Sequence, residues 1–198
     1  MKLKKFLIYV CFIIINLTII NKSYSIEPDV FVQSTVNRAS QILSDNLSKD
    51  QKISELKSIA SETVDIRGIG MYTLGSYRKV LSEDQKKEYF VLFEQYFLKT
   101  FSSRLAEYTN PEIEVRSKEK LNKNYTMVSS VLISTEQRPE VNIDWRIYTK
   151  NPGNLKIRDL IIEGLSLVRT QKEEFASIIE SNDGDINALL ASLKKFIK

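Results

Sequence analysis

Carboxylates are the side chains of this sequence best placed for acid–base chemistry, and Asp159 has the most unusual predicted surroundings. Its strand parity matches Leu155, Ile157 and Ile161, which places it on an apolar face. A buried carboxyl group can have a raised pKa and act as a general base. The alternative is a structural carboxylate that accepts hydrogen bonds from an arginine or from backbone amides. One hypothesis is therefore an enzyme on a cone-shaped α+β scaffold, using Asp159 or Asp144 to deprotonate a small apolar substrate.

The composition excludes most other catalytic and metal-binding chemistry. The chain has no histidine, which removes Ser-His and Cys-His nucleophiles and every His-containing metal site. Its one cysteine is Cys11, so residues 26–198 contain no thiolate for zinc or iron–sulfur ligation. Residues 164–168 lack the second glycine of a G-x-S-x-G elbow, and residues 183–185 favour a turn over a calcium loop. These absences argue against a metal site and against His- or Cys-dependent catalysis, and they leave the carboxylates as the remaining candidates for acid–base chemistry.

Residues 1–25 have the pattern of a secretory signal peptide. They contain a lysine-rich start, an apolar run over residues 6–20, and Ser23 and Ser25 at the −3 and −1 positions of a cleavage site. The alternative is an uncleaved membrane anchor, but the run of about fifteen residues is shorter than the ~20 that span a bilayer. We expect a cleaved signal peptide at 1–25 and one domain at 26–198.

Removal of that segment changes the charge balance. Residues 1–25 hold four of the 29 Lys and Arg residues and no Asp or Glu, so residues 26–198 carry 25 basic and 25 acidic side chains. A nucleic-acid-binding protein needs an excess of basic residues on one face, so we expect no nucleic-acid partner. With no disulfide available, stability must come from burial, which a domain of this size provides.

A long aromatic segment, residues 82–108, organises the predicted fold. Ser82 and Gln85 have the spacing of a capping box, apolar residues then follow the 3.6-residue period of a helix, and Asn110-Pro111 ends it. Shorter helices are predicted from Pro28, Ser48 and Asp65. Two more are predicted from Ser166 and Asp185.

Between these helices the apolar period changes from 3.6 to 2. Four strands are predicted near residues 113–116, 125–134, 141–148 and 155–162, with short connections between them. Short connections favour an antiparallel meander. The fold class is therefore α+β, a single domain in which a twisted antiparallel sheet of about four strands has helices packed on one side.

Four stretches in this order resemble the MlaC/toluene-tolerance family of ABC-transporter auxiliary proteins. They are VDIRGIGMYTLGSYR (64–78), the helix over residues 85–108, NIDWRIY (142–148) and KIRDLIIEGLSLV (156–168). The resemblance covers nearly all of residues 26–198. Two departures are Gln171 and Lys172, where the family often carries a Tyr-Arg pair, and Ile66-Arg67-Gly68, where a bulkier segment is usual.

The resemblance implies a monomeric periplasmic phospholipid carrier that maintains outer-membrane lipid asymmetry. Such a carrier requires no catalytic residue, no metal and no cofactor. It would exchange lipid with an outer-membrane lipoprotein–porin complex and with an inner-membrane ABC transporter complex through its membrane-anchored substrate-binding subunit. Acyl chains would occupy an apolar cavity between sheet and helices, and the headgroup would lie near a basic side chain such as Arg78 or Arg146. The expected lipid-binding residues are Tyr72, Leu74, Tyr77, Phe93, Tyr96, Phe97, Met127, Val131, Ile143, Trp145 and Ile157.

Two further alternatives remain open from the sequence. The cargo of such a carrier could be a hopanoid or another hydrophobic ligand in place of phospholipid. The chain could also be a structural subunit with a filled core, because an aromatic stripe at helical spacing is more often ordinary core packing than a cavity wall.

Overall fold

The computed structural model describes residues 26–108, 110–136 and 138–198. The predicted signal peptide lies outside the described residues. Helices α1 (Pro28–Ser44), α2 (Lys49–Thr63), α3 (Ile66–Thr73) and α4 (Glu83–Leu105) precede the sheet, with a 3-10 turn (Tyr77–Lys79) before α4. Helices α5 (Leu167–Glu180) and α6 (Ile186–Ile197) follow it.

Side-chain caps fix where these helices begin. Ser48 with Gln51, and Ser82 with Gln85, form the two predicted capping boxes, in which each side chain bonds the backbone amide of the other residue. Asp65 caps α3 by accepting a 2.8 Å hydrogen bond from the amide of a residue one turn further on. The predicted starts of α2, α3 and α4 are thereby confirmed.

The sheet is an antiparallel meander in chain order. Its strands are β1 (Ile113–Lys120), β2 (Tyr125–Leu132), β3 (Val141–Tyr148), β4 (Lys156–Ile162) and β5 (Leu165–Ser166). The predicted α+β class and the four longer strands are confirmed. The two-residue β5 was not predicted. It pairs with the end of β4 across Glu163 and Gly164, whose φ values of 49° and 81° match a type I′ hairpin turn.

Strand β4 contains a bulge at Arg158. Arg146 of β3 pairs with Asp159, whereas the next residue, Ile147, pairs with Ile157, so Arg158 has no partner on β3. The bulge shifts the alternation of side chains along β4. Beyond it Leu160 pairs with Trp145, while Asp159 pairs with Arg146 on the other face of the two strands.

Helices cover one face of the sheet and also pack on one another. Helix α1 contacts β1 and β2, α3 and α5 contact β4, and the principal neighbours of α4 are α2 and α6. The rings of Tyr89, Phe93 and Phe175 form the centre of the helical part, with centroids 5.6 Å apart for the first pair and 6.1 Å for Phe93 and Phe175. Buried residues of this part and of the sheet belong to one hydrophobic core.

Across the described ranges, none of the helices combines the length and apolar character needed to cross a bilayer. In the same residues, no group of three or more Asp, Glu, Cys or His side chains is arranged to hold a metal ion.

Candidate functional site

An apolar cavity lies between the sheet and the helices that cover it. Its volume is about 200 Å³. Helices α1 and α2 contribute Val36, Ala39, Leu43, Leu56 and Ile59, and the C-terminal half of α4 contributes Phe97, Phe101 and Leu105. The sheet contributes Leu132, Ile143, Trp145, Ile157, Leu160 and Ile162. The helical and sheet walls are therefore both mainly hydrocarbon.

Four polar side chains of the wall donate hydrogen bonds to acceptors within the protein. Thr63 and Thr35 donate to backbone carbonyl oxygens one turn back in their own helices, at 2.7 and 2.8 Å. Ser40 donates to the carbonyl oxygen of Pro111 at 2.8 Å, and Trp145 Nε1 donates to Ser130 Oγ at 2.8 Å. Since these donors already have acceptors within the protein, they are not available to bind a polar ligand in the cavity. The cavity suits a hydrocarbon chain.

Asp159 is also among the residues that line this cavity, and it is 3% exposed. Its Oδ2 accepts a 2.7 Å hydrogen bond from Ser166 Oγ, and its Oδ1 accepts one of 3.2 Å from the amide of Val168. Arg146 Nη1 lies 3.4 Å from Oδ2. These contacts hold the start of α5 against β4, and they match the structural alternative for Asp159 more closely than a free general base.

Asp159 does not share one regular apolar face with the neighbours named in the sequence analysis. The bulge at Arg158 interrupts the alternation of side chains along β4. Asp159 therefore lies on the same face of the sheet as its partner Arg146, and it is nevertheless buried. The other candidate base, Asp144, pairs with Ser129 and Ile161, and it is not among the residues that line the cavity.

Four of the eleven residues expected to bind lipid line the cavity: Phe97, Ile143, Trp145 and Ile157. Phe97 comes from α4, and the other three come from the inner faces of β3 and β4. Their contact with a lipid stays a prediction, but the structure places them around one apolar space.

The other seven lie elsewhere. Leu74 and Phe93 are each 1% exposed in the helical core, and Tyr96 donates a 2.7 Å hydrogen bond to Gln171 Oε1. Tyr72 is 46% exposed beside Lys172, and Tyr77 is half-buried in the 3-10 turn. Met127 and Val131 alternate with Val128 and Leu132 of β2, so they point away from the face that contains Trp145.

The α1 and α2 walls of the cavity were missed from the sequence. Both helices carry an apolar stripe, which indicates that a helix buries one face but does not reveal what that face contacts. Val36 and Leu43 of α1 and Leu56 of α2 belong to these stripes and line the cavity. The same ambiguity explains why Phe93 was expected to bind lipid although it lies in the helical core. The aromatic stripe of α4 reaches the cavity wall only one turn later, at Phe97.

The solvent edge of the cavity lies between the end of α4 and the start of α5. Tyr108, just beyond α4, and Leu167 both line the cavity and are 40% and 39% exposed. A cavity of about 150 Å³ in another protein holds one benzene molecule. The present volume of about 200 Å³ therefore accommodates part of one acyl chain, and a larger cargo requires the walls to move apart.

Comparison with known proteins supports the motif resemblance. A family model described as MlaC protein matches residues 33–195. The intermembrane phospholipid transport system binding protein MlaC of Haemophilus influenzae is 23% identical over 135 residues, which are 67% of this chain. The aligned region spans 62% of the length of that relative.

A solved structure has the same fold. It is the phospholipid-binding protein from Ralstonia solanacearum in complex with a phospholipid, with a TM-score of 0.73 and 18% sequence identity. The match covers 87% of this chain and 97% of the Ralstonia chain. At this identity the likeness establishes the shared fold.

Proposed function

Because the chain belongs to the MlaC family, as its motifs predicted, we propose that it binds phospholipid and carries it between membranes. The observation that carries the proposal is the apolar cavity between α1, α2, α4 and the sheet. The names of the Haemophilus relative and the Ralstonia structure, which refer to phospholipid transport and phospholipid binding, support the same cargo.

Energetics explain why such a cavity is needed. Moving the chains of a phospholipid with some thirty methylene groups from a bilayer into water raises the free energy by roughly 24 kcal/mol, at about 0.8 kcal/mol per group. A protein wall that replaces the bilayer interior removes most of this cost. Transfer in either direction then needs only a modest bias from the membrane complexes at which the carrier docks.

We propose the periplasm as the compartment, reached through cleavage of the signal peptide predicted at residues 1–25. The proposed docking partners are an outer-membrane lipoprotein–porin complex and an inner-membrane ABC transporter complex. A carrier of this kind needs no catalytic residue and no cofactor. The hydrogen bonds that Asp159 accepts support the carrier hypothesis over an enzyme that uses Asp159 as a general base.

The test is to express the full chain in a Gram-negative host, purify it from the periplasm, and analyse an organic-solvent extract by mass spectrometry. We expect phospholipid at a substantial fraction of one molecule per protein. Circular dichroism of the same sample confirms that the protein is folded. Recovery of a hopanoid or another apolar molecule would change the cargo, and a folded protein with no lipid would contradict the proposal.

A further inference from the structure

A second cavity, the polar cavity, lies beside the apolar one; its volume is about 380 Å³ and its wall is more polar than that of the first. It is bounded by α3, by the turn between β1 and β2, and by the β3–β4 pair. Hydrogen-bond donors on its wall come from Tyr72, Asn122, Tyr125, Arg146 and Arg158. This composition differs from the hydrocarbon wall of the first cavity and suits an anionic group.

The two cavities meet at the edge of β4 that faces away from β3. Ile69, Asp159 and Val168 line both of them. Along this edge, Ile157 forms a bridge with Val64, and Ile161 pairs with Ser166 of β5. The residues of β4 between these two contacts, 158–160, lie where the polar and the apolar cavities adjoin. The two cavities therefore adjoin, which is the arrangement that a molecule with one polar and one apolar part requires.

Arg146 is able to turn toward a ligand. Its side chain is 40% exposed, and its 3.4 Å approach to Asp159 is longer than a strong charge-assisted hydrogen bond. Asp159 keeps its hydrogen bonds from Ser166 and Val168 if Arg146 moves. A turn of the Arg146 guanidinium therefore leaves no buried carboxylate without a donor.

Arg158 supplies a second, more fixed guanidinium. It bonds Asp65 at 2.6 Å and lies over the ring of Tyr148, 4.7 Å from its centroid. Its Nε is buried without an acceptor in the part of the chain that the structure describes. Gly68 allows this close packing, because a Cβ there would lie 2.6 Å from the guanidinium carbon.

The balance of charge around the polar cavity favours an anion. Lys172 Nζ lies 5.3 Å from the ring centroid of Tyr72 and adds a third cation to the two arginines. The carboxylates that contact the arginines are Asp159 and Asp65, which offset two of these three positive charges, so the five side chains carry a net charge of +1.

We infer that the polar cavity binds a phosphate group, with Arg146 as its principal ligand and Arg158 as the supporting cation. Arginine suits phosphate because its planar donors can bind two oxygens at once. The phosphate can belong to a lipid headgroup with an acyl chain in the apolar cavity, or it can be a free ion. The first source rests on the proposed function, whereas the second does not.

The test compares three probes on the purified, delipidated full chain by isothermal titration calorimetry: dihexanoyl phosphatidylglycerol, dihexanoylglycerol and inorganic phosphate. The first two share their acyl chains and differ in the phosphate-containing headgroup. We expect the phospholipid to bind at least about tenfold more tightly than the diacylglycerol, because hydrogen bonds to charged groups supply that difference. Arg146→Gln should abolish this preference and leave diacylglycerol binding unchanged.

Arg116→Gln is the matched control, because Arg116 is an exposed arginine on β1 that lines neither cavity. It should keep the full preference. Arg146→Lys retains the charge, and it should recover part of the preference lost in Arg146→Gln. If Arg146→Gln fails to fold, Arg158→Lys and Tyr72→Phe probe the same cavity.

The outcomes separate the two ideas. Binding of inorganic phosphate that depends on Arg146, with neither lipid bound, would support the phosphate site and contradict the lipid-carrier proposal. Equal binding of the two lipids would refute a headgroup site even if lipid carriage holds. A phosphate preference unchanged by the substitutions at 146, 158 and 72 would refute the inference as a whole.

Discussion

The indole Nε1 of Trp145 donates a 2.8 Å hydrogen bond to Oγ of Ser130, which in turn donates to the carbonyl oxygen of Ile143 at 3.0 Å. Ser130 and Ile143 are directly paired across β2 and β3, and all three residues are buried. The single polar atom of the indole is therefore satisfied within the sheet, which leaves the hydrocarbon of the ring for the cavity wall.

Substitution of Ser130 by alanine should lower the free energy of unfolding by about 1–3 kcal/mol, because it leaves the buried indole N–H without an acceptor. Urea denaturation measures the change. Ser129→Ala is the control, since Ser129 is the neighbouring residue on the opposite face of β2 and is only half-buried. An equal loss in the two variants would show that the hydrogen bond to Trp145 contributes little.

Substitution of Leu160 by glutamate should reduce the phospholipid that copurifies with the protein by about tenfold, because a polar group in an apolar wall must be desolvated when a chain enters. Leu160 is half-buried and lines the apolar cavity. Val80→Glu introduces the same charge at a side chain that is 78% exposed and lies outside the cavity wall. Mass spectrometry of solvent extracts measures the lipid, and full retention in Leu160→Glu would argue against tails in this cavity.

Tyr89 should make the protein less stable at alkaline pH. Burial raises the pKa of its phenol above the ordinary value, and the hydrogen bond with Thr73 opposes this only in part. The unfolded chain therefore loses this proton first. The contribution of the protonated Tyr89 phenol to the free energy of unfolding is fully present below pH ~10. Above that pH it falls by up to about 1.4 kcal/mol per pH unit.

Urea denaturation between pH 9 and 11.5 tests this expectation. Tyr89→Phe should decline less steeply with pH than the unchanged protein, although it is less stable at neutral pH because the contact with Thr73 is lost. Burial also raises the pKa of Tyr96, so a double variant at 89 and 96 should have a flatter profile still. Tyr125→Phe, at a half-buried position on β2, serves as the control. Parallel profiles for Tyr89→Phe and the unchanged protein would contradict the argument.

Substitution of Gly70 by alanine should destabilise the protein by about 1–3 kcal/mol through overpacking. A Cβ at this position would lie 2.8 Å from Cδ1 of Phe93, whose ring is fixed in the core against Tyr89 and Phe175. The gain in helix propensity from glycine to alanine, about 1 kcal/mol, offsets only part of this.

Thermal and urea unfolding measure the effect at Gly70. Gly153→Ala is the control, because a Cβ there would have its nearest neighbour at 3.8 Å. A stabilised Gly70→Ala variant would mean that Phe93 can move, and that the contact between α3 and α4 is looser than its geometry indicates.

Local signals in the sequence predicted the fold well. The residues that begin α2, α3 and α4 bond neighbouring backbone amides, so the signal and the structure it predicts lie within one helical turn. The predicted alternation of apolar and polar residues along β3 likewise matches the alternation of its buried and less buried residues. Strand β5 was missed because two residues show no period, and its pairing depends on the turn at Glu163 and Gly164.

The candidate site was less predictable because its walls come from elements distant in sequence. The aromatic stripe of α4 is continuous, yet Phe93 packs on Phe175 whereas Phe97 faces the cavity. Only the positions of α5 and of the sheet distinguish these two environments. The bulge at Arg158 had the same effect on β4, since one unpaired residue changed the face to which Asp159 belongs.

Trp145 is the only tryptophan in the sequence, and its ring forms part of the apolar wall. The tryptophan fluorescence of the protein therefore comes from one known location. Entry of a hydrocarbon chain should exclude water from the ring and shift the emission to shorter wavelength. The unlabelled protein thus contains its own optical reporter, by which loading and unloading can be followed in real time as vesicles or partner complexes are mixed with it.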